Sequence, residues 1–264
     1  MTANGRMTAA LRHTEPDRTP WFEYVLLSPV ADCLLGRRTV DYAGDAAAWL
    51  NYAREIGWEA AVRQYARDRV DLAERLGHDL LYIVPNPLPA AVSARREPAS
   101  ADPGGAHGRD FLYGDPVAAI QRRIESGLPD LETPVDQDFL IIYDLVREEL
   151  ARRGMEAWLL APAYYHGVWT DTDLLQTMAL SPDTAHRYFS MVTGLALRMI
   201  GAYLARGIEL IGVGGDFAGK RPIISPESYR TFLVPEIRKL SDRIREGGGY
   251  SVNASDGNLW PVLD

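Results

Sequence analysis

One cysteine, Cys33, stands among 264 residues. No intrachain disulfide can form, and a thiolate-rich zinc site would need ligands from elsewhere; a reducing compartment suits this composition. Basic residues are outnumbered 28 to 36, and the net charge of -8 disfavours a broad electrostatic grip on nucleic acid or an anionic membrane. No uninterrupted apolar run is long enough to cross a bilayer, and the opening MTANGRMTAALRHTEPDRTP has arginines and acids where a signal peptide has an apolar core. The expectation is a cytoplasmic protein without a nucleic-acid or membrane partner. Neither GxGxxG after an early strand nor GKS or GKT occurs, so the usual phosphate cradles of dinucleotide and nucleoside triphosphate domains are missing.

What is present is a chain with 47% hydrophobic residues, enough for a sizeable core. A leading helix spans about 2–13, and the turn-rich EPDRTP delivers the chain to a first strand at 21–26 and a short helix from Ser28 to Gly36. Trp49, Tyr52, Ala53, Ile56 and Ala60 recur at helical spacing, so 45–76 reads as one long helix or two joined near Gly57. LLYIV at 80–84 is the short apolar run of a buried parallel strand. Residues 85–114, rich in Pro, Gly, Ala and Ser, read as a surface loop or a lid. Helices at 116–126 and 133–153 lead to a strand at 155–161, and a helix at 182–206 leads to a strand at 208–214. A further helix from Ser225 to Glu246 leads to a strand at 249–253. This alternation favours an α/β architecture with parallel strands, and the missing phosphate motifs favour a barrel over a doubly wound sheet.

Chemistry is expected where strands end. Asp216 follows the 208–214 strand beside Gly214, Gly215 and Gly219, with Lys220 close by; such a carboxylate can accept ligand hydrogen bonds, hold a metal or act as a base, or simply cap a turn. Asp256 follows the last strand in the same way, although Asp-Gly is also an ordinary turn pair. His166 sits in the aromatic loop PAYYHGVWTD and could donate a proton near neutral pH or merely pair with backbone. Tyr164, Tyr165 and Trp169 around it would wall a pocket for a ring, or pack a loop core. Glu23 and Tyr24 end the first strand and could line the mouth of a barrel. His78 and His107 are weaker candidates, one at a helix-to-strand joint and one in the 85–114 loop.

Three stretches taken together, RMTAALRHTEPDRTP, GIELIGVGGDFAGKRPIISPESYRTFLVPEIRKL and the small-residue strand ending in SDG, resemble the uroporphyrinogen decarboxylase superfamily, which also contains cobamide-dependent methyltransferases. The resemblance implies a (β/α)8 TIM-type barrel with extra N-terminal helices and an active cleft at the strand carboxyl ends. Relatives usually run several tens of residues beyond the SDG-like motif, so the final strands are expected either to lie beyond Asp264 in a longer polypeptide or to be absent, with a homodimer covering the exposed edge. The decarboxylase branch has an arginine-rich loop after the first strand, which WFEYVLLSP does not show. It also places an aspartate after the second strand to hold the pyrrole NH groups, where this chain has Asn86 in IVPNP. In the cobamide-linked branch zinc is held by His and Cys at the SDG-like strand end and by a later Cys. Here those first two positions are Ala254 and Asp256, so a thiolate zinc site is not expected. The expectation is therefore a methyltransferase-like enzyme for a small methylated or methoxylated substrate, exchanging the methyl group with a corrinoid protein. Decarboxylation of uroporphyrinogen or a related carboxylated compound is the alternative, and a non-catalytic ligand-binding relative is the second.

Overall fold

Gly57, with φ of 92°, breaks the long apolar-periodic stretch into two helices in the computed structural model of the chain, and Gly36 and Gly77 likewise follow helix ends. The structure describes residues 1–24, 26, 28–93, 114–126 and 134–263. In chain order the elements are α1 (Ala3–Leu11), α2 (Ser28–Leu35), α3 (Ala46–Ile56), α4 (Trp58–Leu76), β1 (Leu80–Tyr82), α5 (Pro89–Ser93), α6 (Pro116–Ser126), a 3-10 turn (Gln137–Leu140), α7 (Ile141–Arg152), β2 (Trp158–Pro162), α8 (Thr172–Leu180), α9 (Pro182–Ala205), β3 (Leu210–Gly214), α10 (Pro226–Ser228), a π-helical turn (Tyr229–Leu233), α11 (Val234–Glu246), β4 (Tyr250–Ala254) and a 3-10 turn (Trp260–Val262).

The chain divides into two compact units, one of residues 1–95 with 136–162 and one of residues 96–135 with 163–264. In the first, β1 and β2 pair in parallel, Leu80 opposite Trp158 and Tyr82 opposite Leu160. Helices α4 and α7 pack on each other, and their core buries Trp49, Val62, Leu81, Ile142 and Tyr143 completely or nearly so. Asp45 caps α3 by accepting the Ala48 amide at 2.9 Å. In the second unit β3 and β4 pair in parallel, Leu210 opposite Tyr250 and Gly214 opposite Ala254. β3 is buried along its whole length, as its continuous apolar run requires, whereas β4 is half-exposed. Helix α9 is long and apolar enough to cross a bilayer by length and composition, and it packs against α6, α8 and α11.

The eight-stranded barrel expected from the sequence is not what forms. The described chain is 58% helical and 9% strand, with four strands in parallel pairings. Alternating strand, loop and helix is common to every parallel sheet, so the pattern alone does not set the strand number. The expected strand at 21–26 is also absent from the described residues there. The Trp21 amide bonds to the Asp79 carboxylate at 3.0 Å and the Trp21 carbonyl accepts the Asp79 amide at 3.0 Å, so a side chain takes the place of a strand ladder. Most of the 85–114 loop, with His107, lies outside the described residues, and the helix expected at 133–153 starts later: residues 134–136 are irregular, 137–140 form the 3-10 turn and α7 begins at Ile141.

The π-helical turn has a cause in the sequence. Pro235, in the first turn of α11, has no amide for the carbonyl of Thr231, and its ring would press on that carbonyl in a regular helix. The turn just before it widens instead: the Val234 amide reaches back five residues to the Tyr229 carbonyl. Tyr229 then stacks on Phe217 with ring centres 4.4 Å apart, and Phe232 lies against His186 at 4.6 Å.

Candidate functional site

Asp216 and Asp256 leave the carboxyl ends of the paired strands β3 and β4, and the structure brings them together. Oδ1 of Asp216 accepts the backbone amide of Asp256 at 2.8 Å. The Phe217 amide donates to Ser255 Oγ at 3.2 Å, so each strand exit holds the other. The loop 163–171 joins them: the Asp216 carbonyl accepts the amides of Val168 at 2.8 Å and Trp169 at 3.0 Å, and the His166 amide donates to the Gly214 carbonyl at 2.9 Å. Gly215 makes this contact feasible. Its φ is 140°, and a Cβ there would lie 2.5 Å from the backbone nitrogen of Gly167. Both carboxylates are exposed, and among the described residues no second hydrogen bond reaches the Asp216 side chain.

The aromatic loop is divided between wall and core. Tyr164 lies over β3, its ring so close to Gly212 that a Cβ there would meet it at 2.1 Å. Trp169 is 47% exposed and covers Gly219, and Tyr165 is 39% exposed. Lys220 is exposed and lines a wide, open surface depression with Gly219, Gly257, Asn258, Leu259 and Trp260. A second groove of about 380 Å³ runs over Phe217, Tyr229, Ile237, Asn253 and Ser255.

His166 is fully buried and turned inward. Its Nε2 lies 2.9 Å from Thr193 Oγ1, and Thr193 donates to Glu236 Oε2 at 2.7 Å; the imidazole therefore carries its proton on Nε2 and donates it to Thr193. Lys239 Nζ holds both Glu236 oxygens at 2.7 and 2.9 Å. Nδ1 is buried with no partner among the described residues. Burial lowers the His166 pKa to about 4; Glu236 opposes this, and Lys239 adds to it. At neutral pH the ring is uncharged, so it acts as a fixed core donor and not as an acid facing a ligand. Because the folded pKa lies below the ordinary value, the unfolded chain binds the extra proton first as pH falls. Stability from this group is complete above about pH 6.5 and is lost on descent toward pH 4. Urea unfolding between pH 7 and pH 4 is expected to show this loss with a slope approaching one proton, and His166→Asn is expected to flatten it.

The remaining candidates lie in the first unit. Glu23 is exposed, and Tyr24 is half-buried with its ring 4.8 Å from both Phe22 and Tyr82. Asn86 is completely buried. Its Nδ2 donates to the carbonyls of Asp138 at 2.8 Å and Pro87 at 3.2 Å, and its Oδ1 accepts the Ile142 amide at 3.1 Å. Both ends of the amide are thus engaged with backbone at the start of α7. His78 is buried, with its ring edge-on to Trp21 at 4.7 Å.

The donor set does not fit the zinc site that the superfamily resemblance implies. Ala254 has no donor atom, Asp256 is a hard oxygen ligand where a thiolate is needed, and Cys33 belongs to the other unit. No group of three or more His, Cys, Asp or Glu side chains is placed to hold a metal among the described residues. Sequence reasoning passed over Thr193, Glu236 and Lys239, which fix the His166 ring. Polar residues inside the apolar periodicity of α9 and α11 were the available signal.

No family model matches the chain. The uroporphyrinogen decarboxylase of Xylella fastidiosa is 25% identical over 262 residues, which cover 94% of this chain and 67% of that protein. The same enzyme from Xanthomonas campestris pv. campestris is 25% identical over 267 residues with the same coverage. A methyltransferase from Methanosarcina mazei has a similar fold, with a TM-score of 0.58 at 15% identity over 100% of this chain and 72% of its own. The chain is linked to these two kinds of enzyme by distant similarity, at the level of a superfamily and no finer.

Proposed function

We propose that this chain is a methyl-transfer enzyme that exchanges a methyl group between a small methylated or methoxylated substrate and a corrinoid protein in the cytoplasm. The observation that carries the reading is Asn86. A porphyrinogen decarboxylase of the kind the sequence resembles needs a carboxylate at this position to stabilise a protonated pyrrole. Here a neutral amide stands there with both ends held by backbone. The fold similarity to a methyltransferase supports the same reading. Asp216, oriented by the Asp256 amide and exposed at the strand end, is the group that would take the proton a nucleophilic thiol or alcohol loses as it is methylated. The sequence similarity to decarboxylases favours a second reading, release of carbon dioxide from a carboxylated substrate.

Methyl transfer from methylcob(III)alamin to a panel of small thiols, followed by loss of the methyl-cobalt absorbance, tests the first reading. Carbon dioxide release from uroporphyrinogen tests the second. In whichever assay turns over, Asp216→Asn is expected to lower kcat/KM about 100-fold, the usual contribution of a positioned base. Unchanged turnover would remove Asp216 from the chemistry, and ligand binding without turnover in either assay would make the chain a binding protein.

A further inference from the structure

Helix α2 and the 38–48 segment that leads into α3 enclose a pocket of about 270 Å³. Three aspartates line it, and each commits one carboxylate oxygen to the chain. Oδ1 of Asp32 accepts the Thr39 amide at 2.5 Å and its hydroxyl at 2.7 Å, Oδ1 of Asp41 accepts the Ala43 amide at 2.7 Å, and Oδ1 of Asp45 accepts the Ala48 amide at 2.9 Å. The second oxygen of each accepts no hydrogen bond among the described residues.

Solvent accounts for this at Asp45, which is exposed, and at Asp32, which is half-buried. Asp41 is different. It keeps only 7% of its surface, and a carboxylate so far from water is unfavourable unless a cation or further donors face it. Other buried acids of the first unit obey that rule: Asp79 meets Arg6 and Arg18, and Asp68 meets Arg37. No ion pair reaches Asp41 among the described residues. Its Oδ2 is not sealed in the core, and the surface that Asp41 keeps opens on the pocket it lines. Two guanidinium groups bear on this charge without pairing with it. Arg38 is exposed on the rim of the pocket, and Arg69 acts together with Asp41 on Tyr42 and Tyr65. Three carboxylates against two guanidinium groups leave one negative charge for a ligand to meet.

We propose that this pocket binds a small primary ammonium ion, with Oδ2 of Asp41 as its anchor. An ammonium group carries three N–H donors and one positive charge, which match the free carboxylate oxygens and the charge left over. Pro29, Val40 and Ala48 supply an apolar flank for a short alkyl body. A metal ion calls for donors gathered on one point, and no group of three or more His, Cys, Asp or Glu side chains is so placed among the described residues. Every residue of the pocket belongs to the first unit, and the site does not depend on the methyl-transfer reading.

The test titrates the purified chain with butylammonium chloride, against potassium chloride and tetramethylammonium chloride at equal ionic strength and butanol at equal concentration. A saturable rise in Tm of roughly 5 °C at a hundredfold excess over Kd is expected for butylammonium alone. Asp41→Asn keeps an oxygen for the Ala43 amide but loses the charge, and should weaken butylammonium binding by at least about tenfold. Arg38→Ala removes the repelling charge from an exposed position and should tighten binding about threefold. This second variant decides the matter should Asp41→Asn fail to fold. No saturable response to butylammonium, an equal response to tetramethylammonium or butanol, or unchanged affinity in Asp41→Asn would overturn the proposal, as would an affinity in Arg38→Ala no higher than that of the wild type.

Discussion

Asp79→Ala is expected to destabilise the protein by about 4 kcal/mol, the usual penalty for removing one partner of a buried ion pair. The Asp79 side chain is wholly buried. It accepts Arg18 Nη1 at 2.6 Å and Nη2 at 3.1 Å, Arg6 Nη1 at 3.0 Å and the Trp21 amide at 3.0 Å. Alanine would leave that amide and two guanidinium groups without their shared acceptor, and the segment that leads from α1 to α2 would lose its anchor on β1. A fall in Tm of roughly 10 °C follows for a protein of this size. Asp17 is the informative control. It also pairs with Arg6, which holds its carboxyl well below the ordinary carboxylate range, but the pair is solvated. Asp17→Ala should therefore change Tm little. Equal losses at both positions would show that the N-terminal segment is held by something other than the buried acceptor.

Gly215→Ala is expected to cost about 3 kcal/mol or more and to open the loop that carries the aromatic wall. At φ of 140° an alanine is strained before any contact is considered, and its Cβ would stand 2.5 Å from the Gly167 nitrogen and 2.8 Å from its Cα. Both obstacles are backbone, which no rotamer change can clear. Gly248→Ala separates conformation from contact. Its φ is 81°, but a Cβ there meets nothing within 4 Å, so a cost of about 1 kcal/mol is expected. Hydrogen exchange provides the local readout: the Val168 and Trp169 amides, which donate to the Asp216 carbonyl, should exchange at least about 100-fold faster in Gly215→Ala and unchanged in Gly248→Ala.

The helices were legible because their stop signals are local. Gly36, Gly57, Gly77 and Pro182 mark boundaries that the structure keeps within a residue or two, and the apolar runs at 80–84 and 208–214 hold β1 and β3. The number of strands was not legible, since an extended aromatic segment such as Trp21–Tyr24 has the composition of a strand whether or not a neighbour offers it a ladder. Asp79 decided that point from 58 residues away. At the site, the meeting of Asp216 and Asp256 was readable from two strand exits of the same kind. The inward turn of His166 was not, because it depends on Thr193 and Glu236, 27 and 70 positions further along.

The widened turn at Tyr229–Leu233 makes the helix that follows β3 a counting device. The extra residue it accommodates sets the angular phase between the Ser225–Ser228 start, where Ser225 Oγ accepts the Ser228 amide, and the apolar stripe Ile237, Leu240 and Ile244 beyond. Deleting one residue between Arg230 and Phe232 would press the Pro235 ring on a carbonyl of an ordinarily wound turn and rotate the upstream end by roughly 100° about the axis. Tyr229 would then swing off Phe217, the residue next to Asp216. Helix length alone would register the deletion as trivial, whereas the azimuth of the carboxylate's neighbour would not. Insertions and deletions in this short span are therefore expected to be far less tolerated than equal changes in the exposed end of the same helix near Glu246.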